Sequence, residues 1–329
     1  MTGSAALERG KGKSSDLGTH LRKYGTVYAF LALVLVNIAL NRNFATWGTL
    51  WNLTIQVLPT MLTSLGMVLV ISSGGIDISV GSVMAISAVM SGMVLTGKVP
   101  AVGSGTLAAV ALALLAALVL GLFNGLLISY FKIQPIIVTL ILFIAGRGIA
   151  QLMNAGGTIV FYNNGFTKIG LYRVGGVVPV QLFVWAAMIA VIAFLVKKTT
   201  FGYYVQGIGE NAKASRLSGV RTTRVVLAIY VISALLAGLA GMFESSRASC
   251  ADPNSIGVLA EMDAIAAVAI GGTSMEGGKA RMLGTVFGAL IIQLISIMVN
   301  MNNIPFAYSR IFKAVIIIAA VYVQREKKR

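Results

Sequence analysis

Gly271-Gly272-Thr273-Ser274-Met275-Glu276-Gly277-Gly278-Lys279-Ala280-Arg281 is the run that decides between two folds. A glycine-rich stretch ending in lysine can cradle phosphate at a strand–helix junction of a soluble nucleotide hydrolase. It can equally turn the chain between two apolar helices. A phosphate loop reads G-x-x-x-x-G-K-[ST] and follows a buried strand. Gly278 and Lys279 could fill its last two matching positions. The leading glycine then falls on Thr273, and Ala280 stands where a hydroxyl must hold Mg²⁺. An apolar helical segment, not a strand, comes before. The run therefore reads as a glycine-flanked turn between helices. Its sharper reading is a hinge or gate at the inner mouth of a path.

The surrounding composition supports the turn. The chain of 329 residues is 57% hydrophobic and 11% charged, with mean hydropathy +0.88. A soluble domain carries about 25% charged residues, so this chain belongs in a lipid bilayer. The net charge of +16 lies between and beyond the apolar runs. That is where orientation signals sit, so the charge does not imply nucleic acid. One cysteine, Cys250, excludes an intrachain disulfide. One histidine, His20, lies in a polar N-terminal stretch, which argues against metal binding and Ser-His or Cys-His catalysis.

Residues 1–23 read as a flexible basic cytoplasmic tail, 24–323 as the transmembrane domain, and 324–329 as a basic cytoplasmic tail. No cleavage site for a signal peptide is evident. About ten apolar segments follow, an all-α integral membrane plan. They lie near 24–40, 53–72, 77–96, 101–130, 135–153, 177–196, 222–243, 260–273, 282–300 and 304–323. Two are short or broken, those near 77–96 and 260–273. Each adjoins a Gly-Gly pair, Gly74-Gly75 and Gly271-Gly272, one in each half of the chain. Interrupted segments at corresponding places point to an internal repeat and a central transport path. Counting Lys and Arg places about eighteen on the side of the N-terminus and about five on the other. Both termini are therefore expected in the cytoplasm, with segment three crossing.

Two connections are long. The one at 154–176 faces outward and is rich in Gly, Asn and aromatics. The one at 197–221 faces the cytoplasm. Within it, residues 212–218 read as a helix of two turns stopped by Gly219.

Three motifs carry a family resemblance. Ser72-Ser73-Gly74-Gly75-Ile76-Asp77-Ile78-Ser79-Val80-Gly81-Ser82, Leu122-Phe123-Asn124-Gly125-Leu126-Leu127 and residues 261–274 occur in that order. The chain resembles, from about residue 50 to 323, the membrane subunits of ribose-type sugar ABC importers. Relatives carry autoinducer-2, galactosides, xylose or, more distantly, branched-chain amino acids. The resemblance implies a dimer of such subunits, a homodimer or a heterodimer, with a central path. It implies a cytoplasmic ABC ATPase and an extracytoplasmic solute-binding protein as partners in a bacterial cytoplasmic membrane. This chain then binds no cofactor and catalyses no reaction; ATP and Mg²⁺ belong to the partner ATPase. Residues 201–220 resemble the family's coupling segment, which docks on that ATPase. Its Glu and first Ala positions are here Ala212 and Lys213, whereas Ala214, Arg216, Leu217 and Gly219 keep the pattern. Glu210 and Asn211 precede that short helix.

Within the spans, Gly74, Gly75, Asp77, Ser79, Asn124, Asp263, Gly271 and Gly272 are the candidates for path or gate. Intramembrane carboxylates are costly and functional by default. Asp77 also suits an N-cap of segment three, and Glu261 and Asp263 suit the start of segment eight. Arg147 either snorkels or pairs with an acid or a helix end. Asn124 hydrogen-bonds a neighbouring helix or lines the path. The substrate is expected to pass with few fixed contacts. Three rivals are an ion-gradient transporter, for which Asp77 would be the coupling site, a membrane enzyme, which needs a polar cluster not evident here, and an ABC permease for branched-chain amino acids.

Overall fold

The computed structural model describes residues 25–41 and 43–305, together with 308, 311, 313–315 and 318. The tails expected at 1–23 and 324–329 lie outside them, as does most of the apolar segment expected at 304–323. The described helices are α1 (Gly25–Leu40), α2 (Trp47–Ser72), α3 (Val80–Leu95), α4 (Thr106–Ser129), α5 (Pro135–Leu152) and α6 (Asn164–Leu171). They continue as α7 (Val180–Lys198), α8 (Thr200–Leu217), α9 (Thr222–Ala248), α10 (Ala260–Ile270) and α11 (Met282–Met301). Six of these, α2, α4, α5, α7, α9 and α11, are long and apolar enough to cross a membrane.

Helices α2, α3 and α9 form the centre. Nearly every residue of α3 is buried, as a helix apolar all round must be. In the most apolar window of α2, 78% of residues are buried, against 17% in α7, so α7 is peripheral. Small residues let the central helices touch. A side chain at Gly121 would meet the Ala234 methyl at 2.8 Å and the Val231 Cα at 2.9 Å; one at Gly125 would meet Leu227. Serines join the helices where carbonyls lie within reach. Ser82 Oγ donates to Phe143 O at 2.6 Å and Ser87 Oγ to Ala113 O at 3.1 Å.

Contacts sort the helix termini into two ends. At one end, Gly209 of α8 lies against Ser72 and Gly278, and Thr26 Oγ1 of α1 donates to Ile270 O at 3.0 Å. At the other, β1 (Ile159–Val160) pairs antiparallel with β4 (Cys250–Ala251). Thr106 Oγ1, opening α4, donates there to Asn163 Oδ1 at 2.9 Å.

The connection at 154–176 is more ordered than its composition suggests. It holds β1, α6 and β2 (Arg173–Val174), which forms a hairpin with β3 (Val178–Pro179). Gly175 and Gly176, both at positive φ, lie with Val177 in the three-residue turn that joins them. Phe161 and Phe166 are buried edge to face and anchor it.

Residues 197–211 also differ from a loop: α7 runs to Lys198 and α8 starts at Thr200. Glycines lower helix propensity, which hides α8 in the sequence. Gly202 is there because the Val196 backbone packs directly on it.

Candidate functional site

Helix α8 is two helices in one. Asn211 takes φ −158° and ψ 98°, extended backbone inside an otherwise helical run. Its Oδ1 accepts the Ala214 N–H at 2.9 Å, which caps the short helix that follows. Gly219, at φ +86°, closes that helix. Ala212, Lys213, Ala214 and Arg216 are exposed, and Leu217 is 81% exposed. The second part of α8 is thus a basic knob with an apolar tip, held clear of the bundle.

Just before the kink, Gly209 meets the two glycine-rich turns that adjoin the broken segments. A side chain there would collide with the Ser72 carbonyl and lie 2.5 Å from the Gly278 nitrogen. That nitrogen donates to Ser72 O at 2.9 Å. Gly277 and Gly278 sit at φ +99° and +93°, backbone closed to other residues without strain. Gly278 faces the Glu210 side chain and Gly74 faces the Gly209 Cα. The glycine-rich stretches of the two halves therefore meet at one junction under α8. Gly271 has another surrounding. Its position would bring a Cβ within 2.5 Å of Gly284 C and Thr285 N, so it is the crossing point of α10 on α11. Gly272 forms the turn after it, at φ +81°.

Asp77 lies between α2 and α3 and is buried, 1% exposed. Its Oδ1 accepts the Ser79 N–H at 3.0 Å and the Ser79 hydroxyl at 2.6 Å. Its Oδ2 accepts the Ser233 hydroxyl of α9 at 3.0 Å. Asn124 Nδ2 of α4 donates to Ser79 Oγ at 2.9 Å. The N-cap of α3 is Ser79, not Asp77. Asp77 instead accepts from that cap residue, because it lies two residues before the cap. The cluster ties the break in the chain to two long helices.

The other break, residues 252–259, is held by Arg147. Its Nη1 donates to Pro253 O at 2.8 Å and Ile256 O at 2.7 Å, and its Nη2 to Gly81 O at 3.2 Å. Backbone carbonyls, rather than an acid side chain, are its hydrogen-bond partners. Glu261, 1% exposed, opens α10 and rests against the first turn of α3, where a Cβ on Gly81 would lie 2.5 Å from Oε2. The N-termini of both short helices thus meet over a carboxylate, which their dipoles favour. Half-length helices meeting inside a bundle are the pattern of a transport path.

Residues 49–321 match the family described as branched-chain amino acid transport system / permease component. The chain belongs to this permease family. The galactofuranose transporter permease protein YtfT of Escherichia coli (strain K12) is 38% identical over 293 residues, covering 85% of this chain and 82% of that protein. The ribose import permease protein RbsC of Bacillus subtilis (strain 168) is 37% identical over 311 residues, covering 93% and 94%. The L-arabinose transport system permease protein AraH of Escherichia coli (strain K12) is 31% identical over 332 residues, covering 100% and 98%. No solved structure matches the chain.

A cavity of about 180 Å³ enters the permease beside the Arg147-braced segment. Gln56 and Thr60 of α2, Glu244 and Arg247 of α9, Asp263 of α10 and Gln293 of α11 line it. Gln293 Nε2 donates to Gln56 Oε1 at 3.1 Å. Asp263 is paired with Lys313 at 2.8 Å. Of these residues the sequence singles out Asp263 alone. Isolated amides in apolar helices, such as Gln56 and Gln293, were the signal for the rest. A shallower groove of about 430 Å³ runs along α6 and the β2–β3 hairpin, with Lys168 and Arg173 in its wall. Cys250, near the β1–β4 pair, is partly exposed; burial, then the Asp252 charge, push its thiol up.

Proposed function

We propose that this permease is the transmembrane subunit of an ATP-driven importer and forms the path for a sugar. The observation that carries the reading is the contact of Gly209 with Ser72 and Gly278. A partner that moves the exposed part of α8 moves both broken segments through that contact. The ATPase docks on Lys213, Arg216 and Leu217, and the α8 end faces the cytoplasm with both termini. The extracytoplasmic binding protein docks at the opposite end, over α6 and the β2–β3 hairpin. Ten segments cross the membrane, with α3 and α10 each supplying the helical part of a broken span. A second permease subunit completes the path.

Movement of α8 shifts the bundle between outward-open and inward-open forms, an equilibrium biased by ATP on the partner. This chain supplies no reacting group to that cycle. Sugar is favoured over branched-chain amino acids because the relatives named above are named for sugars. The cavity wall, rich in amides, carboxylates and a guanidinium, fits hydroxyl groups better than an aliphatic side chain.

Co-purification from membranes tests the docking. Full-length permease co-expressed with its partner ABC ATPase should retain that ATPase through size exclusion. Leu217→Glu should lose it while keeping its own monodisperse peak. Undiminished retention would remove α8 from the interface.

A further inference from the structure

We propose that the cavity between α2, α9, α10 and α11 is a contact station for an uncharged polyhydroxyl solute, a monosaccharide. The inference rests on the importer reading and departs from passage with few fixed contacts. Polar side chains inside apolar helices are costly and need a reason. Here amide and carboxylate oxygens can accept from solute hydroxyls, and the Arg247 guanidinium can donate to them.

Charge narrows the class. Within the wall Glu244 is offset by Arg247, and Asp263 is offset by its ion pair with Lys313, which stands behind the wall. A balanced wall discriminates against a net anion or cation and accepts a neutral polyol. Met84, Pro59 and Val258 add apolar surface for the C–H face of a sugar ring. The volume of about 180 Å³ suits a small solute: a cavity of about 150 Å³ holds benzene.

Place supports the same reading. Glu244 and Arg247 lie in the last turns of α9, and Gln56 lies in the first half of α2, both toward the end opposite α8. Further along α2 the chain is sealed, with Leu62, Leu65 and Leu69 all at 0% exposure. A solute entering from the β1–β4 end reaches this cavity before the closed part of the bundle. Arg147 holds one wall through Pro253 and Ile256, so the cavity is shaped before solute arrives.

The test uses the full complex in proteoliposomes, with ribose, arabinose, fructose and L-leucine as probes. Wild type must first show ATP-dependent uptake of one sugar; its failure would count against the importer reading itself. Gln56→Ala and Gln293→Ala should then each lower sugar uptake about three- to tenfold, the effect of one lost hydrogen bond. ATP turnover stimulated by the binding protein should stay within about twofold, because docking is untouched. Uptake within about twofold of wild type in both variants would overturn the station. Thr60→Cys in a Cys250→Ser background adds a readout independent of turnover. The transported sugar should slow its modification by a small thiosulfonate more than about threefold at saturation. Modification unaffected by sugar, no modification at all, or protection by L-leucine instead would each overturn the proposal.

Discussion

The Gly278 N–H donates to the Ser72 carbonyl at 2.9 Å, joining the α10–α11 turn to the last residue of α2. Gly209 lies against both partners of that bond. A methyl at Gly209 cannot fit without parting them. Gly209→Ala should therefore lower transport more than about tenfold, while the β1–β4 end stays folded. Uptake assayed beside a trypsin digest of the 154–179 region checks this. Normal uptake would show that the junction carries no motion.

Asn211 separates the two parts of α8. Asn211→Ala removes the acceptor for the Ala214 N–H and should cost about 1 kcal/mol of local helix stability. Hydrogen exchange of residues 212–217 should rise several-fold, and ATP turnover should depend less on the binding protein. Asn211→Asp keeps an acceptor and should restore protection.

Asp77 gathers three hydrogen bonds from Ser79 and Ser233. Asp77→Ala leaves those buried donors without an acceptor, a loss of about 3 kcal/mol or more. A thermal unfolding scan in detergent should show a drop of several degrees. Asp77→Asn keeps an oxygen acceptor and should lose less. If Asp77 served an ion gradient instead, Asp77→Asn would abolish transport with little change in thermal stability.

Arg147 makes three bonds to carbonyls on two chain segments. A lysine reaches with a single point of charge and cannot reproduce the fork. Arg147→Lys should recover less than half of the stability lost in Arg147→Ala. Proteolysis within 252–259 would rise in both. Equal behaviour of Arg147→Lys and wild type would mean that charge alone suffices.

Much of the helix plan was legible because apolar runs of bilayer length leave few other folds. The short helix after Asn211 was legible too, from the Gly219 that stops it. The first part of α8 was not, since Gly202, Gly207 and Gly209 mask a helix, and Gly209 answers to Ser72 and Gly278, both distant in sequence. The order in 154–179 was hidden for a similar reason: β1 pairs with β4, about ninety residues away. Gly271 and Gly272 looked alike as a pair, yet one is a helix crossing and the other a turn. Val at Gly271 should therefore disturb the packing of α10 on α11 as well as any gating. The amides of the cavity, Gln56 and Gln293, are 237 positions apart, and no local pattern brings them together.

The most direct measurement is uptake of a labelled sugar by proteoliposomes holding the permease and its ATPase, with binding protein outside the importing face. Uptake should require ATP and the binding protein, and should vanish with Leu217→Glu. Uptake that follows a pH or Na⁺ gradient without ATP would contradict the account.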